Sequence, residues 1–248
     1  MRALALEAAK LRRKHVLLVI LAMVGAVLAW LCLDAHQEGQ GSATGWWSLL
    51  YAAPIMNSVF LSLLASVVAS RIADVDHEAH AWKQLLCLQR TGSVLAAKLV
   101  LATLLMALAV ALEVAGMGAI GALMHFPHVP TIATWVSFVL LQLVSCLGIV
   151  TVVLAVALRW ENQFVSLAVG LALALVGLFA SLLPQEVARL VPSGYFTLLS
   201  RVVVDWGAGT GAPVFSEVPV PWGDCALLLT FVLVAAAGSF VSFSRKEH

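Results

Sequence analysis

The chain is short of charge. Lys, Arg, Asp and Glu make up 11% of its 248 residues, against about 25% in a soluble domain, and that shortage excludes a soluble globular fold. Cysteine is scarce as well: Cys32, Cys87, Cys146 and Cys225 form no close-spaced pair. A disulfide framework is thereby excluded, and no bridge is expected even between Cys32 and Cys225. No G-x-x-x-x-G-K-[ST] run occurs, so the chain has no P-loop with which to cradle the phosphates of ATP. Neither G-x-S-x-G nor H-E-x-x-H occurs, which leaves an intramembrane hydrolase without a nucleophile or a metal. With no internal repeat and no soluble domain, residues 1–248 read as a single transmembrane domain.

What fills the chain instead is apolar: 62% hydrophobic residues and a mean hydropathy of +1.01. The long runs fall at about 16–33, 48–70, 94–123, 132–158, 164–183 and 222–243, near the roughly 20 residues that a helix needs to span a bilayer. Their length and continuity argue for helices over a barrel. The fold class is an all-α polytopic membrane protein with six transmembrane helices. The third run, about 45 Å long as a helix, exceeds the hydrocarbon core of about 30 Å. It is expected to project into the cytosol, with Lys98 marking the inner interface.

Charge placement orients the chain. With both termini inside, the inner side holds Arg2, Lys10, Arg12, Arg13, Lys14, Arg71, Lys83, Arg90, Lys98, Arg159, Arg245 and Lys246. The outer side holds Arg189 and Arg201. Lys and Arg favour cytoplasmic loops, so both termini are expected in the cytosol. The first run is too long for a signal peptide and no small-residue cleavage site follows before Asp34, which reads as a retained span. Leu4 and Leu11 among Arg12, Arg13 and Lys14 suit an N-terminal interfacial helix; a plain basic anchor is the other reading.

Of the outer segments, Trp46-Trp47 heads the second run and suits the interfacial aromatic belt. Residues 184–221 are longer and are expected to contain short helices that do not span, with 193–206 lying on or dipping into the outer leaflet. Gly116-Met117-Gly118-Ala119-Ile120-Gly121 matches G-x-G-x-x-G but follows no strand, so close helix packing is its reading. His77-Glu78-Ala79-His80 spaces its histidines by three, one short of the metal-binding motif. Glu113 is the acid deep in a span. An ionised carboxylate there costs several kcal/mol unless paired, protonated or wet. It either lines a substrate pathway or a subunit seam, or is a neutral acid bonded to a neighbouring helix. Gln142, in the next span, is its nearest polar partner.

Between the second and third runs stands a segment of another kind, Asp74 to Gly92. Asp74, Asp76 and Glu78 precede Lys83 and Arg90, the charge order of a capped helix, and Trp82, Leu85 and Leu86 give it one apolar edge. A short cytosolic helix tied to two spans is where mechanical work from a partner would enter.

These residues carry a family resemblance. The run Glu78-Ala79-His80-Ala81-Trp82-Lys83-Gln84-Leu85-Leu86, followed by Arg90-Thr91-Gly92-Ser93-Val94-Leu95-Ala96-Ala97-Lys98, resembles the coupling region of ABC-2-type transporter permeases. The size, the six spans and the long last outer loop are similar too. Within that family the chain is most similar to the permeases of lantibiotic-immunity and bacitracin-resistance exporters, although Cys87-Leu88-Gln89 stands where a proline is often found. The resemblance implies a membrane subunit that is not catalytic alone. It implies two copies of a P-loop ATPase carrying ATP and Mg on the inner side, and a second permease subunit, identical or homologous. It implies a coupling helix formed by Asp76, Glu78, Trp82, Lys83, Leu85 and Leu86, and no cofactor in this chain. The location implied is the bacterial cytoplasmic (inner) membrane, and the cargo a hydrophobic or amphipathic compound such as a peptide antibiotic. A non-transporting scaffold or sensor subunit is the alternative.

Overall fold

The computed structural model describes residues 15–78, 91–160, 162–206 and 213–244. Six helices are long and apolar enough to cross a membrane: α1 (Val16–Glu38), α2 (Gly45–Glu78), α3 (Thr91–Leu123), α4 (Ile132–Arg159), α5 (Gln163–Ala180) and α8 (Trp222–Ser244). Between α5 and α8 lie two short helices, α6 (Gln185–Ala188) and α7 (Tyr195–Leu198), a 3₁₀ turn at Pro192–Gly194, and an antiparallel hairpin of β1 (Val202–Trp206) and β2 (Pro213–Glu217). The face of the bundle that carries the hairpin is called the hairpin face below, and the opposite one the terminal face. The N-terminal segment 1–14 lies outside the described residues.

The spans agree with the apolar runs, and the short helices after α5 agree with the expected non-spanning segment. The differences lie at the ends of the elements. Helix α2 does not stop near residue 70 but runs on to Glu78. Arg71 to Glu78 contain neither glycine nor proline to stop it, and Ile72, Ala73 and Asp74 are buried against the bundle. Asp74, Asp76 and Glu78 therefore belong to the end of the second span and do not open a separate helix. Residues 193–206 are not one helix either: after Leu198 the chain turns and Val202-Val203-Val204-Asp205-Trp206 becomes a strand. β-Branched residues favour a pleated half-buried surface. Val202 opposite Glu217 and Val204 opposite Phe215 set the register, and Pro213 sits at the start of its strand, where a missing N–H is tolerated.

Packing relies on small residues. Helices in lipid gain little from apolar burial alone, so close backbone approach must supply the contact. On α2, Ser58, Ser62, Ser66 and Ser70 recur every fourth residue, all buried, with Ser58, Ser62 and Ser66 returning their hydroxyls to carbonyls within the same helix. Opposite them α5 presents Ser166, Gly170, Ala174 and Gly177. A Cβ on Gly170 would run into the Ser66 side chain, and one on Gly177 would meet Ser193 Cβ at 2.8 Å. Gly170→Val is therefore expected to destabilise the protein by about 1–3 kcal/mol through overpacking. A lower melting temperature in detergent for this variant, set against an unchanged one for Gly25→Ala, where an added Cβ meets nothing within 4 Å, checks the expectation.

Two interfacial expectations are corrected by burial. Trp46 is not at a lipid surface: its Nε1 donates to the Phe126 carbonyl at 3.1 Å and its ring stands edge-on to Phe126 and Trp135. Gly121, whose Cβ would strike the Trp46 ring, leaves the space, so this part of the G-x-G-x-x-G run does serve close packing. Lys98 likewise turns into the bundle and not out to its surface. It is fully buried and donates from Nζ to the Ile72 carbonyl at 3.2 Å.

Candidate functional site

Three long helices bring polar side chains together in the middle of the bundle. Asn57 on α2 donates from Nδ2 to both carboxyl oxygens of Glu113 on α3, at 2.9 and 3.1 Å, and lies 3.4 Å from Oε1 of Gln142 on α4. Each residue stands about 15–18 Å from the hairpin-face end of its helix at 1.5 Å per residue, so the three meet at one depth. Pro54, inside α2 and one turn before Asn57, withholds one N–H from the helix ladder just above this level. All three side chains are buried, Glu113 with 1% exposure. Among the described residues Glu113 has Asn57 as its bonded partner and no cation. The amide oxygen of Asn57 is itself buried without a partner.

The sequence thus pointed at Glu113 and Gln142, and the structure brings them together through a residue that was not singled out. Asn57 is an amide inside an apolar span, and a polar group there is costly enough to signal a role by itself. It was hidden by the serines around it. The carboxyl is enclosed by α2, α3 and α4 of one chain.

Above the cluster the non-spanning segment forms a cover. Tyr195 and Phe196 are buried, Phe196 within the main core and Tyr195 beside Leu141 and Leu228. The Tyr195 hydroxyl donates to the Arg189 carbonyl at 3.0 Å, and burial pushes its phenol above the ordinary value. The Arg189 guanidinium meets Asp224 at the start of α8 at 2.6 Å, and that carboxylate raises the arginine further into its charged range. Arg201 fastens the hairpin to the bundle. Its Nη1 donates to Ser137 Oγ at 2.7 Å, its Nε to the Val218 carbonyl at 3.2 Å, and its Nη2 pairs with Glu217 at 2.8 Å. Beneath this clamp is a narrow crevice of about 20 Å³ whose walls include Leu50, Phe138, Leu141 and Val202, and whose lining reaches Gln142.

Two of the wider hollows lie toward opposite faces of the bundle. One of about 490 Å³ opens at the hairpin face between Tyr51, Pro54, Leu198, Val203 and Pro221, with Asp224 at its edge. The other, about 330 Å³ toward the terminal face, is lined by Leu95, Val156, Trp160 and Ala235, with the Arg159 guanidinium 5.5 Å from the Trp160 ring centre. Both volumes lie in the range of small-molecule sites, roughly 300–1,000 Å³.

The expected coupling residues are not brought to this site. Asp76 and Glu78 fall in the last two turns of α2, with side chains outside the described residues. Trp82, Lys83, Leu85 and Leu86 lie outside the described residues altogether.

Compared with known families, residues 3–180 match the model described as ABC-2 family transporter protein. No curated protein matches the chain.

Proposed function

Since this chain belongs to the ABC-2 transporter family, and is thereby a multi-pass membrane subunit that works with an ATPase, we propose that it is the permease of an ATP-driven exporter expelling a hydrophobic or amphipathic compound, a peptide antibiotic being the leading candidate. The observation that carries the reading is a buried polar cluster inside the bundle with a hollow toward each face, a mostly apolar one on the terminal side and one of mixed lining on the hairpin side. A cargo with an apolar body fits the hollows. A cargo with a polar head needs a hydrogen-bonding way-point between them, and Asn57, Glu113 and Gln142 supply it. Glu113 and Gln142 are accordingly read as pathway residues.

The terminal face is proposed as the cytosolic one in a bacterial inner membrane, because Arg71, Lys98 and Arg159 lie toward it and Arg189 and Arg201 lie toward the hairpin side. The work comes from two copies of a separate P-loop ATPase docked on that face, holding ATP and Mg, and a second permease subunit completes the pathway. Chemical labelling of single cysteines checks the orientation. Cysteines introduced at Gln40 and Thr210 are expected to react from outside, and one at Leu88 only after permeabilisation; external labelling at Leu88 reverses the topology.

Affinity purification of the intact chain from native membranes is expected to bring down a P-loop ATPase without spans of its own. Cells carrying both chains are expected to accumulate less of a fluorescent lantibiotic than cells lacking them. Equal accumulation overturns the antibiotic reading; absence of any ATPase overturns the exporter reading.

A further inference from the structure

The buried cluster holds more hydrogen-bond acceptors than donors. Two carboxyl oxygens of Glu113 and Oε1 of Gln142 compete for the two hydrogens of one amide nitrogen, and Oδ1 of Asn57, buried beside them, has no donor at all. Among the described residues no cation balances the carboxylate. The titratable and charged groups on the surrounding elements do not fill that role. On α4 there is the buried thiol of Cys146, one turn from Gln142. On α1, Asp34 accepts from Ser48. On the hairpin, Arg201 and Glu217 are paired with each other at the crevice rim. An ionised carboxylate left with one neutral donor in a water-free interior is costly, and what such a site lacks is one positive charge.

Access to the cluster is one-sided. Toward the terminal face Met106, Ala109, Val110, Ile149 and Val150 are fully buried and apolar. Toward the hairpin face the crevice under Arg201 reaches Gln142, with Thr134, Ser137 and Ser200 higher on its wall. Its volume of about 20 Å³ admits about one water, too little for a hydrated metal ion and enough for a proton carrier.

We propose that Glu113 is a proton-binding site served from the hairpin face through this crevice, loaded when the Arg201 clamp is closed and emptied when the hairpin lifts. Gln142 links the crevice to the carboxyl, and Asn57 positions the carboxyl. When Arg201 releases Ser137 and Glu217 releases Thr134, the two ties from the hairpin to α4, water reaches Glu113 and the proton leaves to it as hydronium. When the clamp closes, one proton is taken back. A proton held only in the closed arrangement favours that arrangement as pH on the hairpin side falls. The open-to-closed ratio then rises with pH by up to about tenfold per pH unit for a single proton. The inference builds on Glu113 as a pathway residue, but its readout is hairpin opening in the permease alone, so it stands or falls separately from export.

The test uses the full chain in lipid vesicles, with its native cysteines replaced by alanine and spin labels at Val214 on the hairpin and Val129 in the α3–α4 connection, both exposed. Distance distributions are measured by pulsed electron resonance between about pH 3 and 9, a range bracketing ordinary carboxyl and histidine titration. The open fraction is expected to rise with pH in the unsubstituted background. In Glu113→Gln, which imitates the loaded carboxyl, it is expected to stay low and flat. In Gln142→Leu the end points are expected to be kept, but the approach to them after a pH jump, followed by fluorophores at the same positions, is expected to slow at least tenfold. Sodium added at constant pH is expected to change nothing. A pH-independent open fraction, a pH response unchanged in Glu113→Gln, an unslowed response in Gln142→Leu, or control by sodium in place of pH each overturns the proposal. Should Glu113→Gln fail to insert, the Gln142→Leu kinetics still decide.

Discussion

Glu113→Lys is expected to leave little folded protein in the membrane, whereas Glu113→Gln is expected to assemble normally and export poorly. The difference follows from what surrounds position 113. Asn57 offers its N–H₂ group to this site, so a lysine ammonium would face donors where the native side chain accepts. A lysine ammonium would not be hydrated there, since α2 and α4 close over the side chain and the crevice above admits only about one water molecule. A buried charge deprived of its partner costs about 3–5 kcal/mol, a large part of the 5–15 kcal/mol that holds a typical domain together. The chain does bury a lysine elsewhere: Lys98 is fully enclosed, but there the Ile72 carbonyl accepts from it. Once the carboxylate is gone, the acceptors left beside position 113, Oδ1 of Asn57 and Oε1 of Gln142, are neutral amide oxygens that do not balance an ammonium charge. Glutamine keeps the shape and both hydrogen-bonding functions, so its cost should stay near that of one altered hydrogen bond, about 1 kcal/mol. Size-exclusion profiles and melting temperatures of the detergent-extracted variants check the contrast. A monodisperse, thermally normal Glu113→Lys would mean that the carboxyl site is wetter or looser than its packing implies.

The parts of this structure that the sequence announces are those set by length and burial along a single helix. Six runs of apolar residues can only be satisfied as spans, and all six helices begin within three residues of where the run does, the third and fourth ending at Leu123 and Arg159. The end of the second span is harder, because Arg71-Ile72-Ala73-Asp74-Val75-Asp76-His77-Glu78 carries charge but no helix breaker. Charge suggested a new element, whereas the backbone had no reason to stop. The hairpin was missed for a different reason. Val202-Val203-Val204 is too short to show a period, so it reads as helix or strand with equal ease, and its partner strand, which opens on a proline, lies beyond the glycine-rich sequence 207–212. Asn57 and Trp46 were legible as residue types but not as positions. Which way a helix faces in a bundle buried on several sides depends on where Gly121, Gly170 and Gly177 let neighbours approach, and that is a property of pairs of helices.

Trp82→Asp is expected to abolish co-purification of the ATPase and with it ATP-dependent export, while insertion of the permease and its pairing with a second subunit persist. The chain carries no P-loop, so the work of transport has to enter from another protein through something stiff. Helices α2 and α3 provide the stiffness. At 34 and 33 residues they are each about 50 Å long at 1.5 Å per residue, well beyond the hydrocarbon core of about 30 Å. They also hold the cluster residues Asn57 and Glu113, so a push on the chain that joins them acts on the same rods that form the polar site. The joining residues 79–90 contain Trp82, Leu85 and Leu86 at the spacing of one helical edge. Aromatic anchors of this kind contribute about 2–4 kcal/mol to an interface, so replacing the indole with a carboxylate should weaken ATPase binding by roughly 30- to 1,000-fold. Reversal of Glu78 or Lys83 should act more mildly, changing the association rate and its salt dependence more than the affinity. Purification of the complex by a tag on the permease, followed by quantitation of the ATPase, separates these outcomes. If Trp82→Asp still binds the ATPase with normal affinity, docking belongs to the N-terminal segment or to the turn at 159–163.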